Sequence, residues 1–423
     1  MGGFSSFAVS FSIISVLTGC ITAYSDAIGP DGPAALGIGW PIVSAGTLFV
    51  AVAMAELASA FPTAGALYHW SALLGGAGWG WLTAATNLVG QVAIVAAIDF
   101  GCASELAATL GLSTRASFWL LVAILASHAL VNAVSVRLVA WLNDFSASAH
   151  ILGVVVLVGA LLCWGRSQPV SFLAHGGFTT RADGNATLGF ANGLVLSMFT
   201  FTGYDASAHL AEETHDPARR TPWGILTSVG VSAIAGYLLL AAITLAIRDL
   251  PAIAGDGHAA LAVMRGALGE GFGRGAMALA IAAMWLCGLS AIAIATVGPL
   301  LLVLGTSPFS DALFGAMAKM ATMALYVSYA LPILLGARAR QRGTWKTMGP
   351  FRAGRHGVVV AWVAVAWSVV VLAVCSLPPN QLPAAMLVGA ELVLGVVYFA
   401  FVRRRFEGPR VTLAILESGE SRD

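Results

Sequence analysis

Residues 197–223, SMFTFTGYDASAHLAEETHDPARRTPW, decide the fold of this chain. An apolar helix of membrane character leads into them, from about Leu188 to Phe201. A polar break follows, formed by Thr200, Thr202, Gly203, Tyr204 and Asp205. An unpaired backbone group in hydrocarbon costs several kcal/mol, so such a break is tolerated only where the backbone faces protein or a wet cavity. The alternative is a kinked core helix whose threonine hydroxyls bond back to their own carbonyls.

The composition is that of a polytopic membrane protein. The 423 residues are 58% hydrophobic and 10% charged, with a mean hydropathy of +0.87. Polar residues could not cover the surface of so apolar a soluble domain. Apolar segments of the roughly 20 residues that a bilayer requires recur along the chain. They lie near 7–28, 34–61, 79–104, 116–136, 145–164, 188–210, 223–247, 275–304, 312–336, 357–377 and 383–402. We therefore predict an all-α membrane domain.

Several function classes are disfavoured by the sequence. A net charge of +1 gives no case for nucleic-acid binding. The five cysteines lie in apolar segments without metal-ligand spacing, which favours small buried hydrophobes over a disulfide framework. HExxH, GxSxG and Cys/His cluster motifs do not occur. We predict a protein that is not an enzyme and uses no metal or cofactor.

The first apolar segment carries a second interruption. Thr18, Gly19, Cys20 and Thr22 occur in the middle of its apolar run. The interrupted segments are the first and the sixth, five spans apart. Paired interruptions at matching places in two halves indicate an inverted-repeat transporter with its substrate site near the bilayer midplane.

Three titratable side chains lie within or beside apolar segments, where a charge is costly and usually functional. Glu56 either acts at the inner end of the second span or merely reaches the interface. Asp99 shares a helical face with Asn87 and Gln91, and this stripe either joins helices or lines the substrate path. His150 has a pKa range suited to a proton carrier, although a lone histidine is more often structural. We keep Glu56, Asp99 and His150 as coupling candidates.

Residues 275–304 do not fit the pattern of full spans. This run of 30 residues is too long for one helix across the bilayer core and too short for two. Lys and Arg cluster in the loop 338–355 and at 403–405, which places both at the cytoplasm. A single crossing of 275–304 would then put the amino terminus outside, whereas entry and exit on one face would put both termini inside. Lys319 either reaches the outer interface or pairs with a buried acid such as Asp99 or Glu56.

Four stretches of the chain resemble one transporter superfamily. They are SFSIISVLTG at 10–19, AELASAFPTAGALYHWSALL at 55–74, FTFTGYDASAHLAEETHDPARRTPWGI at 199–225 and LYVSYALPILL at 325–335. With these motifs the chain is similar to the amino acid–polyamine–organocation superfamily, in the amino acid/choline permease branch that includes GABA and choline permeases.

The resemblance implies a five-plus-five inverted repeat with two further helices, an inside amino terminus and alternating access. The expected units are 1–165, a truncated 188–336, the extra helices at 357–402 and a cytoplasmic tail at 403–423. It implies a substrate site lined by Thr18, Gly19, Cys20, Thr22, Thr202, Gly203, Tyr204 and Asp205. It also implies acidic inner-gate positions at Glu56, Glu212 and Glu213, which either pair with Arg219, Arg220 or Arg137 or form a solvated face.

One departure from the family concerns spans eight and nine. The cytoplasmic segment between them and their flanking inner halves are missing, so we expect 275–304 to be a shortened or re-entrant remnant of two helices. The resulting hypothesis is a plasma-membrane carrier for a small amino acid, GABA or a choline-like amine, driven by protons, with sodium as the lesser option. A non-transporting relative that keeps the binding fold is the competing hypothesis.

Overall fold

The computed structural model describes residues 2–134, 136–175, 186–292, 311–378 and 380–409, and their regular structure is helical. The α-helices are α1 (Gly3–Ile14), α2 (Val16–Thr22), α3 (Tyr24–Asp31), α4 (Pro33–Gly37), α5 (Gly39–Ala60), α6 (Ala66–Gly75), α7 (Ala77–Leu110), α8 (Thr114–Val134), α9 (Val136–Ala160), α10 (Ala186–Thr200), α11 (Ala206–His209), α12 (Pro217–Leu245), α13 (Leu250–Ala254), α14 (Ala259–Leu268), α15 (Glu270–Ile292), α16 (Asp311–Gln341), α17 (Gly357–Ser376) and α18 (Gln381–Val397). Short 3-10 or π turns occupy Leu161–Gly165, Val170–Ala174, Ala211–Glu213, Gly354–His356 and Tyr398–Val402.

Ten segments of the described chain are long and apolar enough to cross a membrane. They are Gly3–Thr22, Pro33–Ala60, Ala77–Leu110, Arg115–Val134, Leu138–Gly165, Pro217–Leu245, Glu270–Ala291, Gly315–Gln341, Gly354–Ser376 and Gln381–Val402. The remaining predicted segment, 188–210, is divided by its break, which leaves α10 with 15 residues. The predicted all-α polytopic fold is confirmed, whereas the division into two repeats stays a prediction.

The break in the first span lies at Ser15, so the position predicted from Thr18 to Thr22 is wrong. Ser15 has φ 34°, in the left-handed region, and its hydroxyl accepts from the N–H of Thr18 at 3.3 Å. It therefore ends α1 and caps the start of α2, as a serine at the N-cap does. Thr18 and Gly19 are helical residues one turn further on.

The break in the sixth span lies where the sequence predicts it. Helix α10 ends at Thr200 and α11 begins at Ala206. Between them Gly203 has φ 86°, a conformation that costs a glycine little and other residues more. Its N–H donates to the hydroxyl of Tyr329 on α16 at 3.1 Å, so a backbone group freed by the break is paired with protein.

Helix α7 lies at the centre of the packing, with α6, α8, α15 and α16 against it. Its predicted polar stripe contributes to these contacts. The amide of Asn87 donates to the hydroxyl of Ser328 on α16 at 3.1 Å, and Gln91 is buried. Asn87 therefore joins two helices, which is one of the two roles that the sequence left open for this stripe.

The described part of the predicted remnant 275–304 belongs to α15. Near the carboxyl end of this helix, the thiol of Cys287 donates to the carbonyl of Ile13 at 3.4 Å. One turn on, the hydroxyl of Ser290 donates to Asn143 at 2.5 Å. The helix thus ends near the level of the α1–α2 break. Residues 293–304 lie outside the described residues, and the re-entrant arrangement stays a prediction.

Candidate functional site

The two broken spans meet around a small closed cavity. Its lining residues are buried and it holds about 10 Å³, roughly the space of one water molecule. Helices α1, α2, α7, α10 and α15 and the break after α10 contribute its lining, which is Ile13, Ile14, Thr18, Gly19, Ile94, Ile98, Phe199, Thr200, Thr202 and Cys287. No amino acid fits in this space as it stands, so a solute can bind here only when the helices separate.

Gly19 allows the broken spans to approach each other. A Cβ atom built at this position would overlap the side chain of Thr200. The glycine in the first span is therefore required for close packing at the cavity and not for breaking the helix.

The cavity threonines offer hydrogen-bond acceptors. The hydroxyl of Thr200 donates to the carbonyl of Leu196 at 2.8 Å, and that of Thr202 donates to Phe199 at 2.7 Å. This is the back-bonding that the sequence left open as an alternative. It commits the hydroxyl protons but leaves oxygen lone pairs, so the oxygens can accept from the ammonium group of a ligand.

His150 supports the α1–α2 break from α9. Its Nδ1 lies 2.8 Å from the carbonyl of Ser146, and its Nε2 lies 2.5 Å from the hydroxyl of Ser15. Since a backbone carbonyl only accepts, Nδ1 carries the proton and Nε2 accepts from Ser15. The Ser15 oxygen in turn lies 2.5 Å from that of Thr18, in the cavity wall. A three-member hydrogen-bonded chain thus joins the histidine to the cavity.

Asp205 lies outside the cavity lining and is fully buried. One carboxylate oxygen accepts from the hydroxyl of Tyr329 at 2.8 Å, and the other lies 3.4 Å from Nε2 of His209. Because Tyr329 also accepts from Gly203, this cluster holds the break in the sixth span against α16.

The other predicted site residues are divided between the cavity and its surroundings. Thr18, Gly19 and Thr202 line it. Cys20, Gly203 and Tyr204 are buried beside it without lining it. Thr22 lies further from it, where it lines a second cavity of about 80 Å³ together with Asp26 and Glu105.

The carboxyl-terminal end of the second span is fixed by an ion pair. Glu56 accepts from Nη1 of Arg340 on α16 at 2.9 Å and from the N–H of Ala353 at 2.7 Å. The alternative in which Glu56 pairs with Arg219 or Arg220 is therefore not observed. Those arginines are exposed, and Arg219 lies near Asp216, which precedes it by three residues.

The acidic pair after α11 lies at the surface. Glu212 and Glu213 are exposed, and Glu212 accepts from the N–H of Ala64 at 3.1 Å. Nearby, burial lowers the pKa of His69 while the Glu212 carboxylate acts in the opposite direction. The side chain of Arg137 lies outside the described residues.

Lys319 lies close to Asp26. Its ammonium and the Asp26 carboxylate both approach Gly315. The alternatives in which it pairs with Asp99 or Glu56 are not observed, since Asp99 faces His128 at 3.3 Å and Glu56 faces Arg340.

Sequence reasoning missed several residues around the site. These residues are Ser15, His128 and Tyr329, and each contacts a predicted residue that lies 29 to 135 positions away in the sequence. His128 carries the same signal as His150, a histidine within an apolar segment, and could have been found by it.

Two broken spans around a small buried cavity, in a bundle whose described residues include ten membrane-length apolar segments, are typical of a membrane carrier. Comparison with known proteins identifies its family. Residues 1–301 match the family model described as amino acid permease. The chain belongs to the amino acid permease family, and the predicted class, a transporter and not an enzyme, is confirmed.

The relatives it matches are permeases. The chain is 32% identical to the amino-acid permease BAT1 homolog of Oryza sativa subsp. japonica, over 85% of this chain and 81% of that protein. It is 31% identical to the amino-acid permease BAT1 of Arabidopsis thaliana, over 85% and 82%. It is 29% identical to the GABA-specific permease of Saccharomyces cerevisiae, over 55% of this chain and 44% of that protein.

Proposed function

We propose that this chain carries a small amino acid together with a proton across the cell membrane by alternating access, with both chain termini in the cytoplasm. The observation that carries the proposal is the closed cavity between Thr18–Gly19 on one broken span and Thr200–Thr202 on the other. A small site lined by buried residues of two broken helices suits a carrier that exposes it alternately to the two faces when those helices separate.

The chemistry of the cavity favours a small amine-bearing solute. Its threonine oxygens can accept from an ammonium group, and its isoleucines and Phe199 suit a short apolar side chain. A small neutral amino acid or GABA fits both features, and the resemblance to a GABA-specific permease supports the same class. A choline-like amine is the less favoured option, because it lacks N–H donors for these oxygens and would rely on charge alone.

Proton coupling is supported by ionisable groups inside the bundle. Glu56, Asp99 and His150 are buried, where a charge is expensive and usually serves a proton or ion path. Each therefore remains a candidate for coupling.

The test is uptake by purified protein reconstituted into liposomes, using labelled L-amino acids, GABA and choline separately. We expect one small amino acid to accumulate when the outside is made acidic, and to accumulate less without the gradient. An equal rate of uptake with and without the pH gradient would refute proton coupling. Ligand-induced thermal stabilisation without uptake of any solute would instead favour the non-transporting relative.

A further inference from the structure

A second histidine pairs with Asp99 inside the helix bundle. Nδ1 of His128 on α8 lies 3.3 Å from Oδ2 of Asp99 on α7, and both side chains are fully buried. The ring of His128 packs on Trp285 of α15 at a centroid distance of 5.0 Å, and the Trp285 indole donates to Ser127 at 2.9 Å. Three helices thus hold the pair in place.

The pair has unused hydrogen-bonding capacity. Oδ1 of Asp99 and Nε2 of His128 have no hydrogen-bond partner among the described residues. Buried polar atoms are nearly always paired, and an orphaned atom at such a place requires an explanation, such as an ion or a proton-transfer role.

The other two coupling candidates differ in this respect. Both carboxylate oxygens of Glu56 are bonded, to Arg340 and to the N–H of Ala353. Both ring nitrogens of His150 are bonded, to Ser15 and Ser146. A proton added to Glu56 would break its ion pair, and one added to Nε2 of His150 would force the Ser15 hydroxyl to change from donor to acceptor. The Asp99–His128 pair has open positions on both members.

The pair lies directly behind the cavity wall. Ile98 and Cys287 line the cavity. The residue after Ile98 is Asp99 itself, and the residue after Cys287 is Gly288, which lies against the Asp99 carboxylate. A Cβ atom at Gly288 would overlap the Asp99 carboxylate, so this glycine lets α15 close over the pair.

We propose that the Asp99–His128 pair is the site that binds and releases the coupling proton. This rests on the proposed proton-coupled transport. With His128 neutral and donating through Nδ1, the pair carries a net charge of −1. One added proton, on Nε2 of His128 or Oδ1 of Asp99, makes the pair neutral overall, and its release restores the charge.

Among the residues that the structure describes, the neighbouring groups leave this charge uncompensated. Cys102 on α7 and Cys287 on α15 interact electrostatically with Asp99, and neither is cationic. Glu105, further along α7, faces His258 at 3.1 Å. On α16, Lys319 lies by Gly315 beside Asp26.

The charge state links proton binding to substrate binding. In this proposal the substrate carboxylate lies nearer the pair than the substrate ammonium group does, so the −1 state repels the bound substrate and the neutral state does not. Binding of the proton and of an amino acid therefore strengthen each other, and by linkage the effect is reciprocal. This is the direction of coupling that symport requires.

The test uses proteoliposomes, an equimolar mixture of labelled L-amino acids and GABA, and the variants Asp99→Asn and His128→Gln. Wild type should accumulate label in an inward proton gradient, and both variants should lose about tenfold of this accumulation, a usual size for such coupling. Both should still exchange internal for external label, which shows that they are folded and bind substrate. Their exchange should also lose the pH dependence that wild type shows, a readout that a merely structural role would not remove.

The matched control is Glu407→Gln, which removes an exposed carboxyl beyond α18 and should leave gradient-driven uptake unchanged. Wild-type coupling retained in Asp99→Asn would overturn the inference while leaving the proposed function intact. Wild-type uptake driven by a sodium gradient and not by protons would overturn both. An equal loss of coupling in Glu407→Gln would also contradict the assignment, since the effect would not belong to this pair.

Discussion

At the scale of single residues, the site depends on side chains that fit together rather than on unusual ones. Ser15 adopts a left-handed backbone conformation between α1 and α2. Its hydroxyl accepts from the N–H of Thr18, which caps α2, and donates to Nε2 of His150. The sequence predicted a break in this span from its glycine, yet the break is made by a serine three residues before Thr18. Local composition cannot reveal this, because what stabilises Ser15 there is His150, 135 positions away.

Substitution of Gly19 by alanine tests the close approach of the broken spans. The added Cβ would overlap Thr200, so either α2 or α10 must shift and the cavity must change shape. We expect Gly19→Ala to lower uptake at least about tenfold, the kind of loss that a small misplacement at a site produces. Uptake by proteoliposomes measures it.

Gly230→Ala is the control for this substitution. Gly230 lies in α12 with open space where its Cβ would stand, so the same chemical change should leave uptake as in wild type. Wild-type uptake in Gly19→Ala would show that the two broken spans are not in functional contact.

At the scale of elements, helix ends are tied together by charged groups that the sequence could only partly assign. The break after α10 was predictable because Thr202, Gly203 and Asp205 are polar or flexible at membrane depth. Glu56 was also identifiable from the sequence, because it is a charged residue within an apolar segment. Its partner was not, because Arg340 lies 284 residues away and was one of many basic residues in an inner loop.

Removal of Arg340 tests this tie between α5 and α16. Arg340→Gln leaves the Glu56 carboxylate buried and without its cation, which typically costs about 3–5 kcal/mol. We expect a clear fall in the thermal unfolding midpoint in detergent. The double variant Glu56→Gln with Arg340→Gln should recover much of the loss, because no charge is then left unpaired.

Arg338→Gln is the matched control, since Arg338 is an exposed arginine two residues before Arg340 on the same helix. It should leave the unfolding midpoint within the usual small range of surface substitutions. An Arg340→Gln protein as stable as Arg338→Gln would show that the ion pair does not hold the helix ends together.

At the scale of the whole molecule, hydropathy and the paired interruptions were sufficient to predict a polytopic carrier with a central site. They could not predict how the residues of the site divide between lining and support. Thr18 and Thr202 face the cavity whereas Asp205 turns to Tyr329, and this depends on the rotation of each half-helix against its neighbours. Such rotations are set by tertiary packing and not by local sequence.

The central claim is that the substrate occupies the space between the two broken spans. A native residue reports on it, because Cys287 lines that cavity while Cys20, Cys102 and Cys375 are buried elsewhere and Cys163 is exposed. In a Cys163→Ser background, maleimide labelling of Cys287 can be followed by peptide mass spectrometry with and without the transported amino acid.

We expect saturating substrate to slow labelling of Cys287 by about tenfold, since an occupied site is then closed to the reagent for most of the time. A non-transported amino acid should have no effect. Labelling of Cys287 at the same rate with and without the transported substrate would contradict the account.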